Sequence, residues 1–274
     1  MTVILEGFNK SGITTRFTFR LDDKHVTKAA LVERPEKTII CLSTQVGCSG
    51  RCEFCSAREM ELVRDLKIDE LISITTRLSS YSLYRDRRTL ISLMGTGEPL
   101  MNANNVRGLY TKFGDIPNFS LALSTSGYGI EGLHMIPSGF KVQFTLVSPV
   151  EEVRESIQPG VCTIDQLINA IENYKGKKEI NVPLIEGVND TRQDMRKIAR
   201  IAKRVGCSVK LNRLNPTGTD LNPVSPEMTS VLVFLLRFCD VDAECYETDG
   251  QDIYAACGQF EIDPMRKVKK AYLM

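Results

Sequence analysis

A chain of 274 residues with 42% hydrophobic and 25% charged side chains can bury a full core, and this composition excludes a disordered or fibrous protein. A net charge of +1 lacks the basic excess of proteins held to nucleic acid mainly through phosphates. No run approaches the roughly 18 apolar residues of a membrane helix, and the opening MTVILEGFNKSG lacks the basic-then-apolar order of a secretory signal. The expectation is a soluble, cytoplasmic protein with no membrane partner.

In chain order, the alternating segment 15–21 and the segment 28–32 flank the turn-like Asp22-Asp23-Lys24-His25 and predict a β-hairpin within an amino-terminal extension, residues 1–37. Short apolar runs follow at 38–43, 89–94, 119–124, 141–147, 179–185 and 208–213, with helix-like periods at 68–84, 164–174, 192–205 and 226–238. This rhythm predicts an α/β fold with parallel strands and helices packed outside. Its six units fall short of a complete eight-unit barrel, so residues 38–262 read as an open, partial (β/α)6 barrel. Residues 263–274, with Arg266, Lys267, Lys269 and Lys270, read as a solvated basic tail. Sites in parallel α/β folds collect at the carboxyl ends of strands. Cys48–Cys55, Gly97-Glu98-Pro99, Ser124-Thr125-Ser126-Gly127, Thr145 and Asn215-Pro216 all follow or end predicted strands, which points to one site on one face.

Nine cysteines, an odd number without a secretory signal, argue against a disulfide framework. Metal binding, thiol chemistry and plain burial remain. Cys162, Cys207 and Cys239 sit among apolar or helix-like neighbours and read as core. Cys48, Cys52 and Cys55 spell C-x3-C-x2-C in a loop of Gly, Ser, Arg and Glu. Three thiolates this close can serve three irons of one 4Fe–4S cluster and leave the fourth iron open. Zinc, with a fourth ligand from a distant cysteine, His25 or His134, also fits the spacing.

C-x3-C-x2-C after the first strand of a partial barrel is the hallmark of the radical-SAM superfamily. CLSTQVGCSGRCEFCSA, GTGEPLMN at 95–102, LSTSG at 123–127, EGVND at 186–190, LNP at 214–216 and DIYAACGQF at 252–260 occur in that order. Together they resemble the RlmN/Cfr family, which methylates carbon atoms of adenine in RNA. The similarity runs from about Thr14 to Ile262. It implies a 4Fe–4S cluster on Cys48, Cys52 and Cys55, with S-adenosylmethionine (SAM) as cofactor. Gly97, Glu98, Ser124, Thr145 and Asn215 would contact SAM, Glu98 taking the methionine ammonium; an acid plus neutral polar groups matches that ligand's inventory.

The resemblance also assigns two further thiols. Cys257 matches the cysteine that is methylated by one SAM and carries the carbon to substrate. A second SAM, cleaved at the cluster, yields the radical that takes a hydrogen from the S-methyl group. The carbon radical adds to an electron-poor sp2 carbon. Cys41 then attacks the Cys257 sulfur and releases product as a disulfide forms. A flavodoxin-type electron donor is implied as partner. Cys245 has no assigned role.

The sequence departs from the family in several places. The helical accessory domain with which family members usually begin has no counterpart here. Val147 stands where the family has a histidine, and Glu59 where a lysine is frequent. Tyr246, Glu247 and Asp249 occupy positions that are typically basic, and acids beside a substrate channel repel phosphates. The expected substrate is adenine in RNA or an adenine-like nucleotide. The second reading is an enzyme of this lineage acting on a small molecule, cofactor or peptide. The third is a non-catalytic, iron–sulfur or zinc-stabilised binding protein.

Overall fold

The structure, a computed structural model, describes residues 3–84 and 87–262; the expected tail at 263–274 lies outside the described residues. β1 (Ile4–Ser11), β2 (Thr14–Arg20) and β3 (Val26–Glu33) form an antiparallel meander. The predicted hairpin is its β2–β3 half, in which Phe17, Phe19, Ala29 and Leu31 are buried. The additional strand, β1, leaves Ile4 and Phe8 exposed, so hydrophobicity does not mark it. β4 (Lys37–Leu42) is antiparallel to β3. Two-residue strands β5 (Gln45–Val46) and β6 (Arg64–Asp65) then pair across the neck of the cysteine loop.

The repeating part follows: α1 (Ile68–Tyr81), β7 (Arg88–Leu93), α2 (Ala103–Phe113), β8 (Phe119–Thr125) and β9 (Phe140–Thr145). After α3 (Glu151–Ile157) and α4 (Ile164–Asn173) come β10 (Lys178–Leu184), α5 (Arg192–Val205), β11 (Ser208–Arg213), α6 (Pro226–Phe238) and β12 (Ala243–Tyr246). One ten-stranded sheet results, in the order β1-β2-β3-β4-β7-β8-β9-β10-β11-β12. From β4 onward every neighbouring pair is parallel. The α/β partial barrel is therefore as expected, with a seventh parallel strand, β12, that its four residues AECY do not announce.

Period-2 alternation separates the two faces of this sheet. Leu121, Leu123, Val142, Phe144, Ile180, Val182, Val209 and Leu211 point outward into the core under the helices. Ala122, Ser124, Gln143, Thr145, Asn181 and Asn212 alternate with them and line the barrel interior. α5 shows how the outer layer is fixed. Thr191 and Asp194 cap its first turn reciprocally, Ile198 and Ala202 face the core, and Gly206 at φ 65° ends it in the left-handed region. α2 has a weaker helical sequence, ANNVRGLYTKF, and tertiary packing makes it: Val106 and Leu109 are fully buried. A Cβ on Gly108 would stand 2.8 Å from the end of the Ile68 side chain of α1, so glycine lets the two helices approach without that side chain moving. No helix of the described residues is long and apolar enough to cross a membrane.

Candidate active site

A cavity of about 1080 Å³ opens into the barrel interior. That exceeds the roughly 300–1,000 Å³ of ordinary small-molecule pockets and leaves room for more than one occupant. The structure brings all ten residues singled out from the sequence onto its wall: Cys41, Cys48, Cys52, Cys55 and Gly97, then Glu98, Ser124, Thr145, Asn215 and Cys257. Cys41 and Ser124 are the penultimate residues of β4 and β8, Thr145 ends β9, and the others lie in loops that follow strands. His25 lies in the β2–β3 turn, and exposed His134 bonds the Glu131 carbonyl, so both stand off the cavity lining.

The cysteine loop is tied at several points. Gly47 has φ 78°, and a Cβ there would stand 1.8 Å from the Glu61 carbonyl oxygen. Arg51 Nη1 donates to the Arg58 and Met60 carbonyls at 2.6 and 3.0 Å, and Glu53 N to the Ile157 carbonyl at 2.9 Å. Burial pushes the Cys48 thiol up to about 11 and the Cys55 thiol to about 12, and raises Cys52 as well. Two donors address the sulfurs: Gly50 N to Cys48 Sγ at 3.3 Å and Gln158 Nε2 to Cys52 Sγ at 3.5 Å. Ser126 Oγ lies 3.7 Å from Cys52 Sγ. Such donors stabilise ligating thiolates, and the set of three soft sulfurs fits an iron–sulfur cluster. A cubane takes one thiolate on each of three irons, so the sulfurs need not converge on one point; among the described residues no three metal-ligating side chains do.

Across from the cysteines, Gly97 has φ 104°, and a Cβ there would stand 2.7 Å from Gln45 Cβ and 2.8 Å from Thr44 Oγ1. Only glycine turns the chain there and aims Glu98 inward. Glu98 is buried, and its carboxylate accepts from Ser126 N at 3.0 Å and Leu100 N at 3.2 Å. Burial outweighs these bonds and pushes its carboxyl up to about 7. Ser124 Oγ and Thr145 Oγ1 stand 3.5 Å apart on adjacent strands, one hydroxyl pair on the same cavity wall. Asn215 uses its amide on the Cys257 segment: Nδ2 donates to the Cys257 carbonyl at 2.9 Å, while Oδ1 accepts from Thr248 and Gln251 at 2.6 and 2.8 Å.

Cys257 is stitched beside the cysteine loop. Ser56 N donates to the Gly258 carbonyl at 2.8 Å, Glu261 N donates to Ser56 Oγ at 3.1 Å, and Thr96 Oγ1 donates to Glu261 at 2.6 Å. From the meander, Arg16 donates to the Phe260 carbonyl at 2.6 Å, and Lys28 forms an ion pair with Glu261. Cys257 opens onto the cavity with protein around it. Cys41 packs against Ala30, Ala255 and Phe260, in electrostatic reach of Cys257. Burial raises both thiols above their ordinary value.

The departures from the family read differently in three dimensions. Asp249 is clamped by Arg34 at 2.6 and 3.2 Å, so it meets the cavity paired. Val147 lies in a separate apolar cluster with Ile157, Ile185 and Leu214, and Glu59 is an exposed partner of Arg58. Cys207 is buried, Cys162 and Cys239 are partly buried against the same core, and Cys245 is exposed on the cavity rim. Gln158, which donates to Cys52 Sγ, and Lys210, on the cavity wall, are residues that sequence reasoning misses. Gln158 sits at the end of a seven-residue helix without a periodic signal, and Lys210 reads in sequence as one more strand residue.

The model of the Radical SAM superfamily matches residues 42–208. Over 265 residues the chain is 31% identical to "Probable dual-specificity RNA methyltransferase RlmN" of Thermotoga sp. (strain RQ2), covering 91% of this chain and 76% of that protein. The corresponding protein of Chlorobaculum tepidum is 30% identical over 270 residues, covering 92% and 72%. A crystal structure described as a radical SAM methyltransferase from Sphaerobacter thermophilus superposes with a TM-score of 0.86 at 28% identity, covering 94% of this chain and 80% of that one.

Proposed function

The chain belongs to the radical SAM superfamily and to its RlmN-type methyltransferases, and from that premise we propose that Cys257 carries a methyl-derived carbon to an sp2 carbon of adenine, in RNA or in an adenine-like nucleotide. The observation that carries this reading is the common cavity. Three loop thiols, a buried acid, a hydroxyl pair and two further thiols face one another there. Cys48, Cys52 and Cys55 would hold the 4Fe–4S cluster, which with SAM and an electron from a flavodoxin-type donor supplies radical initiation. Glu98 receives the methionine ammonium, Ser124 and Thr145 offer hydroxyls to the ligand, and Gly97 lets the loop fit under it. Asn215 holds the Cys257 backbone at the cluster side through its bond to the Cys257 carbonyl.

Cys41 closes the cycle by attacking the Cys257 sulfur, so removing it should trap the enzyme on its substrate. In Cys41→Ala protein isolated from cells, the Cys257 peptide should carry a covalent adduct whose mass identifies the acceptor. A Cys257 peptide without methyl or adduct there, together with methylated product from Cys257→Ala protein, would sink the reading.

A further inference from the structure

Resting on the reading that Cys48, Cys52 and Cys55 hold the 4Fe–4S cluster, we propose that Gln158 is a positioning residue of the reaction, whose side-chain amide donates to the Cys52 thiolate and makes the cluster held there easier to reduce. Gln158 Nε2 stands 3.5 Å from Cys52 Sγ, within hydrogen-bonding reach of a sulfur acceptor. The side chain is fully buried, and its Oε1 has no hydrogen-bond partner. A buried amide with an unpaired carbonyl costs folding free energy, and an apolar side chain of the same length avoids that cost. What the amide offers in return is its N–H, turned onto a sulfur of the cysteine loop.

The backbone around Gln158 fixes where that amide points. Gln158 caps the end of α3, where its N–H donates to the Arg154 carbonyl at 2.8 Å and its carbonyl accepts from Val161 N at 3.3 Å. The residue before it, Ile157, accepts from Glu53 N of the cysteine loop at 2.9 Å. The residue after it, Pro159, accepts from the Tyr128 hydroxyl at 2.9 Å, and that hydroxyl accepts from Arg51 N of the same loop at 3.3 Å. Arg154, fully buried, holds α3 in place by donating to the Ser126 carbonyl at 3.0 Å and to the Cys162 carbonyl. Bonds on both sides of Gln158 thus tie its position to that of the loop.

A ligating thiolate has no proton to give, so the amide meets it through Nε2 and not through its carbonyl. Reduction adds one negative charge, shared between the cluster and its thiolates. A donor on one of those sulfurs stabilises the reduced state more than the oxidised one and raises the potential, the more so in a buried setting. The electron comes from the external donor; the proton of the Gln158 amide stays on nitrogen, and no bond of the protein breaks. Cys48 Sγ accepts from Gly50 N, a main-chain group that does not depend on a side chain. At Cys52 the donor is a side chain, so one substitution removes it. Ser126 Oγ lies farther from the same sulfur, at 3.7 Å.

The test reads a potential and needs no turnover. Wild-type, Gln158→Met and Gln158→Leu proteins are reconstituted anaerobically with iron and sulfide. The reduced cluster is followed by electron paramagnetic resonance through a dithionite titration with redox mediators and without SAM. A hydrogen bond to an anionic sulfur that strengthens on reduction changes the ratio of reduced to oxidised cluster about tenfold. Both substitutions should therefore lower that ratio about tenfold at a fixed potential, a midpoint about 59 mV lower for one electron, with the iron content per chain unchanged. An unchanged midpoint in either iron-loaded variant overturns the proposal. So does a higher one, because water reaching the cluster through a loosened loop raises the potential, whereas loss of a donor lowers it. Should one variant take up no iron, the other decides; failure of both overturns the proposal, because the amide would then hold the loop and not tune a cluster. The cluster assignment fails separately, and takes the proposal with it, if wild-type protein gives no 4Fe–4S signal or Cys52→Ala gives the wild-type one.

Discussion

Glu98→Gln should flatten the pH dependence of stability. Burial raises the Glu98 carboxyl from 4.5 to about 7, so the fold disfavours its ionised form. The native state then keeps a proton that the unfolded chain releases. Full stability is present below the ordinary carboxyl value, falls as pH rises from there, and levels off above about 7. The shift caps the loss at about 3 kcal/mol, of which about 2 to 3 kcal/mol falls between pH 5 and pH 8. Glutamine cannot ionise, so Glu98→Gln removes this slope, whatever its amide costs by facing the Ser126 or Leu100 N–H. Urea denaturation of the metal-free protein at pH 5 and pH 8, wild type against Glu98→Gln, measures the difference of differences. Ligand affinity should run the other way. With the carboxyl at about 7, its ionised fraction rises about fivefold from pH 6 to pH 7, and SAM should bind correspondingly tighter. Identical pH dependence in the two proteins would refute the reasoning and place an ionised, compensated Glu98 in the apo fold.

Two further substitutions probe the frame of the site. Gly97→Ala forces a Cβ to within 2.7 Å of Gln45 at φ 104°, and should cost about 1–3 kcal/mol with weakened SAM binding, measured by denaturation and equilibrium dialysis. Lys28→Met leaves Glu261 without its cation in a mostly buried place. It should cost about 3 kcal/mol and speed hydrogen exchange across 255–262 while leaving iron content of the reconstituted protein unchanged.

The strands that build the barrel are legible because each is a short apolar run whose outward residues feed the core, as with Leu121 and Leu123 or Val209 and Leu211. The cavity residues are legible for another reason. Cys48, Gly97, Ser124 and Cys257 sit in short motifs whose order along the chain is itself a signal. What lies between these two kinds of pattern is not legible. α2 carries Asn104, Asn105 and Gly108, poor helix formers that tertiary contact with Ile68 overrides. β12 is too short to show a period, and its pairing with β11 fixes it. Asp249 reads as a bare acid until the fold brings Arg34 to it from 215 residues away. Lys210 has no motif at all, and only the fold sets its ammonium over the Tyr246 ring.

The docking of the 255–262 segment onto β2 and β3 gives the protein an order of assembly. Arg16 of β2 and Lys28 of β3 are synthesised well before their partners Phe260 and Glu261, which lie 244 and 233 residues later. A nascent chain displays Cys48, Cys52 and Cys55 about two hundred residues before it displays Cys257, an interval of roughly 10–40 s at ribosomal speed. The cysteine loop is thus complete while one side of the barrel still stands open, and Cys257 arrives with the segment that closes it.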